Sequence, residues 1–219
     1  MTADKQVYLL YSKIPADLPA DIYKWLLIFL TDPLREKHFR YRRWIDRAAN
    51  LFSMALLVKG LQKFGIDHRA LENLQYTQYG RPYLQGTIDF NISHSGDYVV
   101  CAISDGVRVG VDIEQIKEVG FSDFHDLMTD DQWNLIRKAG DPLKHFFTFW
   151  SIKESIIKAD GRGLNIPLND IMITDKVAFY QKRWFLNELI IDDAYCAWLS
   201  SNEKVIVNVE PVSFDSHHL

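Results

Sequence analysis

The stretch Gly110-Val111-Asp112-Ile113-Glu114 sets two carboxylates two residues apart in an otherwise apolar run. In an extended strand successive side chains alternate faces, so Asp112 and Glu114 project together while Val111 and Ile113 turn into the core. Adjacent carboxylates repel unless a cation lies between them. Hard oxygen ligands of this kind suit Mg²⁺, which takes one or two carboxylates and fills its shell with water and phosphate oxygens. A solvated face on an edge strand is the plainer reading of the D-x-E pattern alone. Further on, Trp150, Glu154 and Lys158 recur at intervals of four within Phe149-Trp150-Ser151-Ile152-Lys153-Glu154-Ser155-Ile156-Ile157-Lys158. On a helix they form one stripe, with Phe146, Phe149, Ile152, Ile156 and Ile157 left to pack the core. Alone, Glu154 and Lys158 read as an ordinary surface pair. Beside Asp112 and Glu114 they add a third carboxylate and a cation that neutralises phosphate.

A third stretch, Phe90-Asn91-Ile92-Ser93-His94-Ser95-Gly96, predicts a small-residue turn leaving a strand. Its backbone N–H groups, with Ser93 and His94, suit a phosphate, the alternative being a turn with a solvated His. Of the seven His, only His94 has such a setting; His217 and His218 lie at the tail and no H-E-x-x-H occurs. The sequence contains no Walker loop, no G-x-G-x-x-G after a strand and no G-x-S-x-G elbow, so nucleoside-triphosphatase, Rossmann and serine-hydrolase readings lack support.

The elements that must carry these residues are read from periodicity. Val7–Tyr11 predicts a strand, and Ile22, Trp25, Leu26 and Phe29 an amphipathic helix. Asp32-Pro33 opens a helical tract expected to run to about Phe64, basic at first (Arg35, Lys37, Arg40, Arg42, Arg43, Arg47) and then nearly all apolar from Leu51 to Leu61. Tyr79-Gly80-Arg81-Pro82 is a turn. Strands are expected at Ile88–Ile92, Tyr98–Ser104 and Val107–Ile113, and helices near Ser122–Met128, at Asp130–Lys138 and from Pro142 to about Asp160, stopped by Gly161. Residues 171–209 are strand-rich. Each half has helices with antiparallel strands, so the expected fold is α+β: two similar lobes, residues 1–105 and 106–219, related by a pseudo-twofold axis.

The 219 residues are 47% apolar and 25% charged, with a net charge of -4, which argues against nucleic acid as the main partner. The charge is uneven: 13 Lys and Arg against 11 Asp and Glu before residue 106, then 12 against 18. Cys101 and Cys196 form no metal or disulfide pattern, pointing to a reducing compartment. The N-terminus carries no signal-peptide pattern, and the apolar run Trp25–Leu30 is far short of the roughly 20 residues that span a bilayer. The expectation is a cytoplasmic protein with no membrane partner.

Taken in order, the Tyr79-Gly80-Arg81-Pro82 turn, the Asn91-to-Gly96 stretch, Gly110-to-Glu114 and Trp150-to-Lys158 resemble the 4′-phosphopantetheinyl transferases of the surfactin-synthetase-activating type. Weaker similarity reaches back to residues 32–46. The resemblance implies Mg²⁺-dependent transfer of the phosphopantetheine arm of coenzyme A to a serine of an acyl, polyketide or peptidyl carrier protein, as in holo-[acyl-carrier-protein] synthases, with release of adenosine 3′,5′-bisphosphate. It implies that Asp112, Glu114 and Glu154 hold the metal, that Glu154 and Lys158 are catalytic, and that Lys158, His94 and Ser93 meet phosphates. Tyr79, Gly80, Arg81 and Pro82 would border the adenine, and Lys37 would reach the 3′-phosphate. Coenzyme A would lie between the lobes, and the chain, holding both, would be a monomer. Two departures stand out: Arg81 replaces the usual Lys of the turn, and Ala48-Ala49 follow Arg47 where the family often has a basic residue. Arg81, with its fork of donors, is expected to suit the 3′-phosphate. Phe121, Phe124, Leu127 and Met128 are either a carrier-facing patch or a plain core segment.

Overall fold

The computed structural model describes residues 5–214, so His217 and His218 lie outside the described residues. In chain order the elements are β1 (Lys5–Lys13), α1 (Ala20–Leu26), α2 (Asp32–Arg40), α3 (Trp44–Gln62), β2 (Gln75–Tyr76), β3 (Pro82–Tyr83), β4 (Ile88–Ser95), β5 (Tyr98–Asp105), β6 (Val109–Gln115), α4 (Asp130–Lys138), α5 (Pro142–Asp160), β7 (Met172–Thr174), β8 (Val177–Tyr180), β9 (Lys182–Glu188), β10 (Tyr195–Ser201) and β11 (Val205–Pro211). A short 3₁₀ segment occupies Phe121–Leu127. The α+β reading holds.

Two sheets carry the fold, in the orders β11-β1-β5-β4 and β6-β10-β9-β8-β7. The boundary expected at residue 105 falls between β5 of one sheet and β6 of the other, but β11 returns to the first sheet and pairs parallel with β1, Lys5 opposite Val205. The apolar stretch of α3 packs Leu51, Phe52 and Leu56 with Leu10, Cys101 and Ile103 of the first sheet. On the second sheet α5 buries Ile152 and Ile156 with Trp184 and Leu186. It lies so close to β6 that a Cβ on Gly110 would strike the Ser155 carbonyl oxygen and the Ala159 nitrogen. That contact is why the glycine precedes the paired carboxylates.

Three local expectations change. The long tract from Asp32 is two helices, because Tyr41 (ψ 129°) and Arg43 (ψ 141°) are extended. The basic run at 40–43 offers no apolar position to hold a continuous helix, and Arg43 instead turns its guanidinium onto Asp46 in the first turn of α3. Ser93 and His94 lie within β4, opposite Val100 and Val99, so their N–H groups are not a turn's free donors. The reversal comes at Gly96, whose φ of +52° opens a two-residue hairpin. Finally, the helix expected near Ser122–Met128 is a short 3₁₀ segment lying against the core: Met128 is buried, while Phe121 and Phe124 are partly exposed and pack on Phe146.

Candidate active site

β4 and β6 are the facing edges of the two sheets, and side chains take the place of a main-chain ladder between them. Every second residue of β4 reaches across. Asp89 accepts from the Val109 N–H (2.8 Å), Asn91 from Val111 (2.9 Å) and Ser95 from Gln115 (3.1 Å). Edge strands expose unpaired backbone groups, and this alternation satisfies them while joining the halves. At Ser93 the pattern breaks. Its hydroxyl donates to Asp112 Oδ1 (3.0 Å) and accepts from Lys158 Nζ (2.8 Å).

Asp112 is 2% exposed. Lys158 Nζ also donates to its Oδ1, at 2.6 Å, while Oδ2 is buried with no partner among the described residues. A buried carboxylate oxygen left unpaired is costly and calls for a missing partner. Glu114, two residues on, accepts from Trp150 Nε1 (3.0 Å) and Ser95 Oγ (2.9 Å). Its carboxyl is pushed above the usual range, by burial first and then by the charge of Asp112. Glu154 is pushed further, to about 7, by burial, with Asp112 and Glu114 adding to the rise and Lys158 opposing it. The helical stripe thus delivers all three of its members: Trp150 to Glu114, Lys158 to Asp112, and Glu154 into the field of both.

Among the described residues, no group of three or more His, Cys, Asp or Glu side chains is placed as a ready ligand shell. Lys158 occupies one face of Asp112, and both oxygens of Glu114 are engaged. Mg²⁺ needs only one or two protein carboxylates, however. The open Oδ2 of Asp112, beside two acids whose proton affinity is raised by burial and further by neighbouring negative charge, fits such a cation.

Arg81 does not face the cleft. Its side chain is 4% exposed and grips Asp89 with two parallel hydrogen bonds of 2.9 Å. It also donates to the carbonyls of Lys158 (3.0 Å), Phe90 (3.2 Å) and Val109 (2.9 Å). Arg108 donates to the carbonyls of Ala159 (2.6 Å) and Asp160 (3.2 Å) and to Asp89 (3.2 Å). The two guanidiniums therefore satisfy the last carbonyls of α5, which a helix leaves without partners, and fix the turn that carries Lys158. The expected contact of Arg81 with a 3′-phosphate gives way to this clamp, since its donors are spent internally. Sequence reasoning missed Asp89, Arg108 and Lys153, which is fully buried and donates to the Leu127 carbonyl (2.6 Å). The alternating polar residues Asp89, Asn91, Ser93 and Ser95 were the available signal.

On the other face of β4, a cavity of about 250 Å³ brings together Lys37, Gly80, Pro82 and His94 with Asp46 and Asn50 of α3. A larger one, about 620 Å³, adjoins it across Leu34, Lys37, Leu74 and Tyr76. Tyr79 is exposed and lines neither cavity. His94 links the two faces: its pKa is lowered by desolvation and by Lys158, with Asp46 opposing.

Residues 108–208 match the 4′-phosphopantetheinyl transferase superfamily. The chain is 32% identical over 172 residues to the 4′-phosphopantetheinyl transferase gsp of Aneurinibacillus migulanus, covering 76% of this chain and 71% of that one. It is 29% identical over 150 residues to the 4′-phosphopantetheinyl transferase Sfp of Bacillus subtilis strain 168, covering 66% of each. A solved holo-[acyl-carrier-protein] synthase of Thermotoga maritima aligns with 44% of this chain and 62% of its own, at 17% identity and a TM-score of 0.36. The region matched to the superfamily contains the paired carboxylates and the helical stripe, and the chain belongs to the 4′-phosphopantetheinyl transferase family.

Proposed function

We propose that the cleft binds coenzyme A with its nucleotide end near Lys37, Gly80 and Pro82 and its pyrophosphate between His94 and the carboxylates. A serine of an acyl, polyketide or peptidyl carrier protein is then converted from apo to holo form. Its hydroxyl oxygen bonds to the β-phosphorus, on the pantetheine side, as the bond to the oxygen bridging the two phosphorus atoms breaks. Adenosine 3′,5′-bisphosphate leaves with the electron pair. Asp112 and Glu154, with Glu114 beside them, would hold Mg²⁺, which supplies a Lewis acid for the pyrophosphate when bound. Glu154 is the acceptor for the serine proton when it is not held by the metal: burial lifts its pKa to about 7 in the metal-free protein, the range matched to that task at neutral pH. Lys158 holds Asp112 and adds positive charge where phosphate oxygens gather, so positioning and charge do the work expected of phosphoryl transfer.

The single observation that carries this reading is the open, buried Oδ2 of Asp112. α3 on the first sheet and α5 on the second support treating the halves as related lobes closing one cleft within a monomer. Both cysteines are buried and free, which supports a reducing, cytoplasmic setting; no helix among the described residues is long and apolar enough to cross a membrane. The test is to incubate the protein with coenzyme A, Mg²⁺ and an apo-carrier and to weigh the carrier. A mass gain of one phosphopantetheine supports the reading. Unchanged mass across acyl, polyketide and peptidyl carriers overturns it.

A further inference from the structure

The tip of the β4–β5 hairpin is held from the other half of the molecule. Tyr98 of β5 and Tyr195 of β10 meet edge to face, with ring centres 4.9 Å apart, in an apolar cluster with Val111 and Ile113. Phenylalanines would fill that space equally well, so the hydroxyls need a separate account. Each crosses between the halves. Tyr98 donates to Asp192 Oδ2 (3.1 Å), in the loop between β9 and β10, and Tyr195 accepts from the Asp97 N–H (3.2 Å) at the hairpin tip. The Asp97 carbonyl accepts from the Ile14 N–H (2.7 Å), so both main-chain groups of that residue are tied. A Cβ on Gly96 would strike the Tyr195 hydroxyl and the Gln115 side-chain oxygen, so the tip seats tightly on the second half. Two residues before Asp97, Ser95 donates to Glu114 Oε2 (2.9 Å) and accepts from the Gln115 N–H, and Gln115 pairs with Tyr195 across β6 and β10. Trp150 fixes Glu114 Oε1 from α5, and the hairpin fixes Oε2.

We propose that Tyr195 is a positioning residue for the reaction: by latching the hairpin tip it holds the Ser95 hydroxyl on Glu114 and so fixes the orientation of that carboxylate. The inference rests on the reading of Asp112, Glu114 and Glu154 as the face that holds Mg²⁺. A serine hydroxyl at a free hairpin end samples three staggered rotamers, whereas a tip tied at Asp97 keeps Ser95 in the one that meets Glu114. Groups that orient a metal ligand set its affinity almost as strongly as the ligand itself. The latch also explains why two rings packed among valines and isoleucines keep polar ends.

Titration of the full chain with Mn²⁺ in the presence of coenzyme A, followed by electron paramagnetic resonance, tests it. Ser95→Ala removes the contact itself and should weaken Mn²⁺ about tenfold, the scale of losing a group that orients a metal ligand. Tyr195→Phe keeps the ring and removes the acceptor for Asp97. It should weaken Mn²⁺ about three- to tenfold, and the Mg²⁺ concentration giving half-maximal transfer should rise by the same factor, with kcat unchanged at saturating Mg²⁺. Because Tyr195 acts through Ser95, the double variant should bind Mn²⁺ as Ser95→Ala does, within about twofold. Effects that multiply in the double variant, or a Tyr195→Phe protein with a lower melting temperature and unaltered Mn²⁺ affinity, overturn the latch. A wild-type protein that takes up no Mn²⁺ with coenzyme A overturns the metal reading and the latch with it. Wild-type uptake that Tyr195→Phe leaves unchanged overturns the latch alone.

Discussion

Asp89 and Asp112 stand at two stations of one seam between β4, β6 and α5, the first half-buried and the second buried, and they are treated in opposite ways. Asp89 is saturated: Arg81 meets both oxygens, Arg108 adds a third charged bond and the Val109 N–H a fourth. Asp112 has Lys158 and Ser93 on one oxygen and, among the described residues, nothing on the other. A carboxylate that only joins elements has every lone pair answered. One kept for chemistry is left open at a cost in stability, and here the open atom lies where Glu114 and Glu154 raise the local negative charge. The seam thus divides into an end that holds and an end that, on the proposed function, reacts, a few residues apart on the same two strands.

Breaking the holding end should produce the largest change. Asp89→Ala leaves Arg81 buried without its counter-ion, so urea unfolding should show a loss of about 3–5 kcal/mol. Asp112→Asn reverses the emphasis: transfer to an apo-carrier should fall by about 10²–10³-fold, the scale set by losing one preorganised electrostatic contact, while the unfolding midpoint moves little. If the two variants behaved alike, the division of the seam would be wrong. Gly110→Ala sits between the ends and forces β6 and α5 apart. It should cost about 1–3 kcal/mol, as overpacking does, and lower kcat as Glu154 and Lys158 shift.

The smallest effect is a slope. In metal-free protein Glu154 titrates near 7, well above its ordinary 4.5. The folded state therefore binds more protons than the unfolded one between these values. This group's stabilising contribution is fully present below pH 4.5 and is lost as pH rises through 7. Glu154→Gln should flatten the fall in stability across that window, measured by urea unfolding at successive pH values. An unchanged slope would place the carboxylate in a less desolvated setting.

Much of the reactive end was legible in the sequence, because it is local: the period of two in Gly110–Glu114 and the period of four in Trp150–Lys158 each put their polar members on one face. The helices Asp130–Lys138 and Pro142–Asp160 were legible for the same reason, with Thr129 and Asp141 capping the first turns and Gly161 in the left-handed region at the end. The holding end was not. Arg81 is bound to Asp89 and to the carbonyls of α5 by contacts that span up to 77 residues, and no local pattern distinguishes such an arginine from one that meets a ligand. The break at Tyr41–Arg43 was hidden because apolar periodicity continues on both sides of it. The parallel pairing of β1 with β11 leaves no trace in either strand alone.

That last pairing bears on how the protein is made. β1 is the first described strand to be synthesised, and its partner β11 is the last. During synthesis, β5 can close one side of β1, but the other side waits until β11 has emerged. Contacts of such separation form slowly, and an open strand edge is a template for the wrong partner. The first sheet is therefore completed only once residues 205–211 are available, and cannot be finished from the first half alone. The seam, by contrast, joins β4 and β6 through contacts only 19–20 residues apart, so it can close well before the first sheet does.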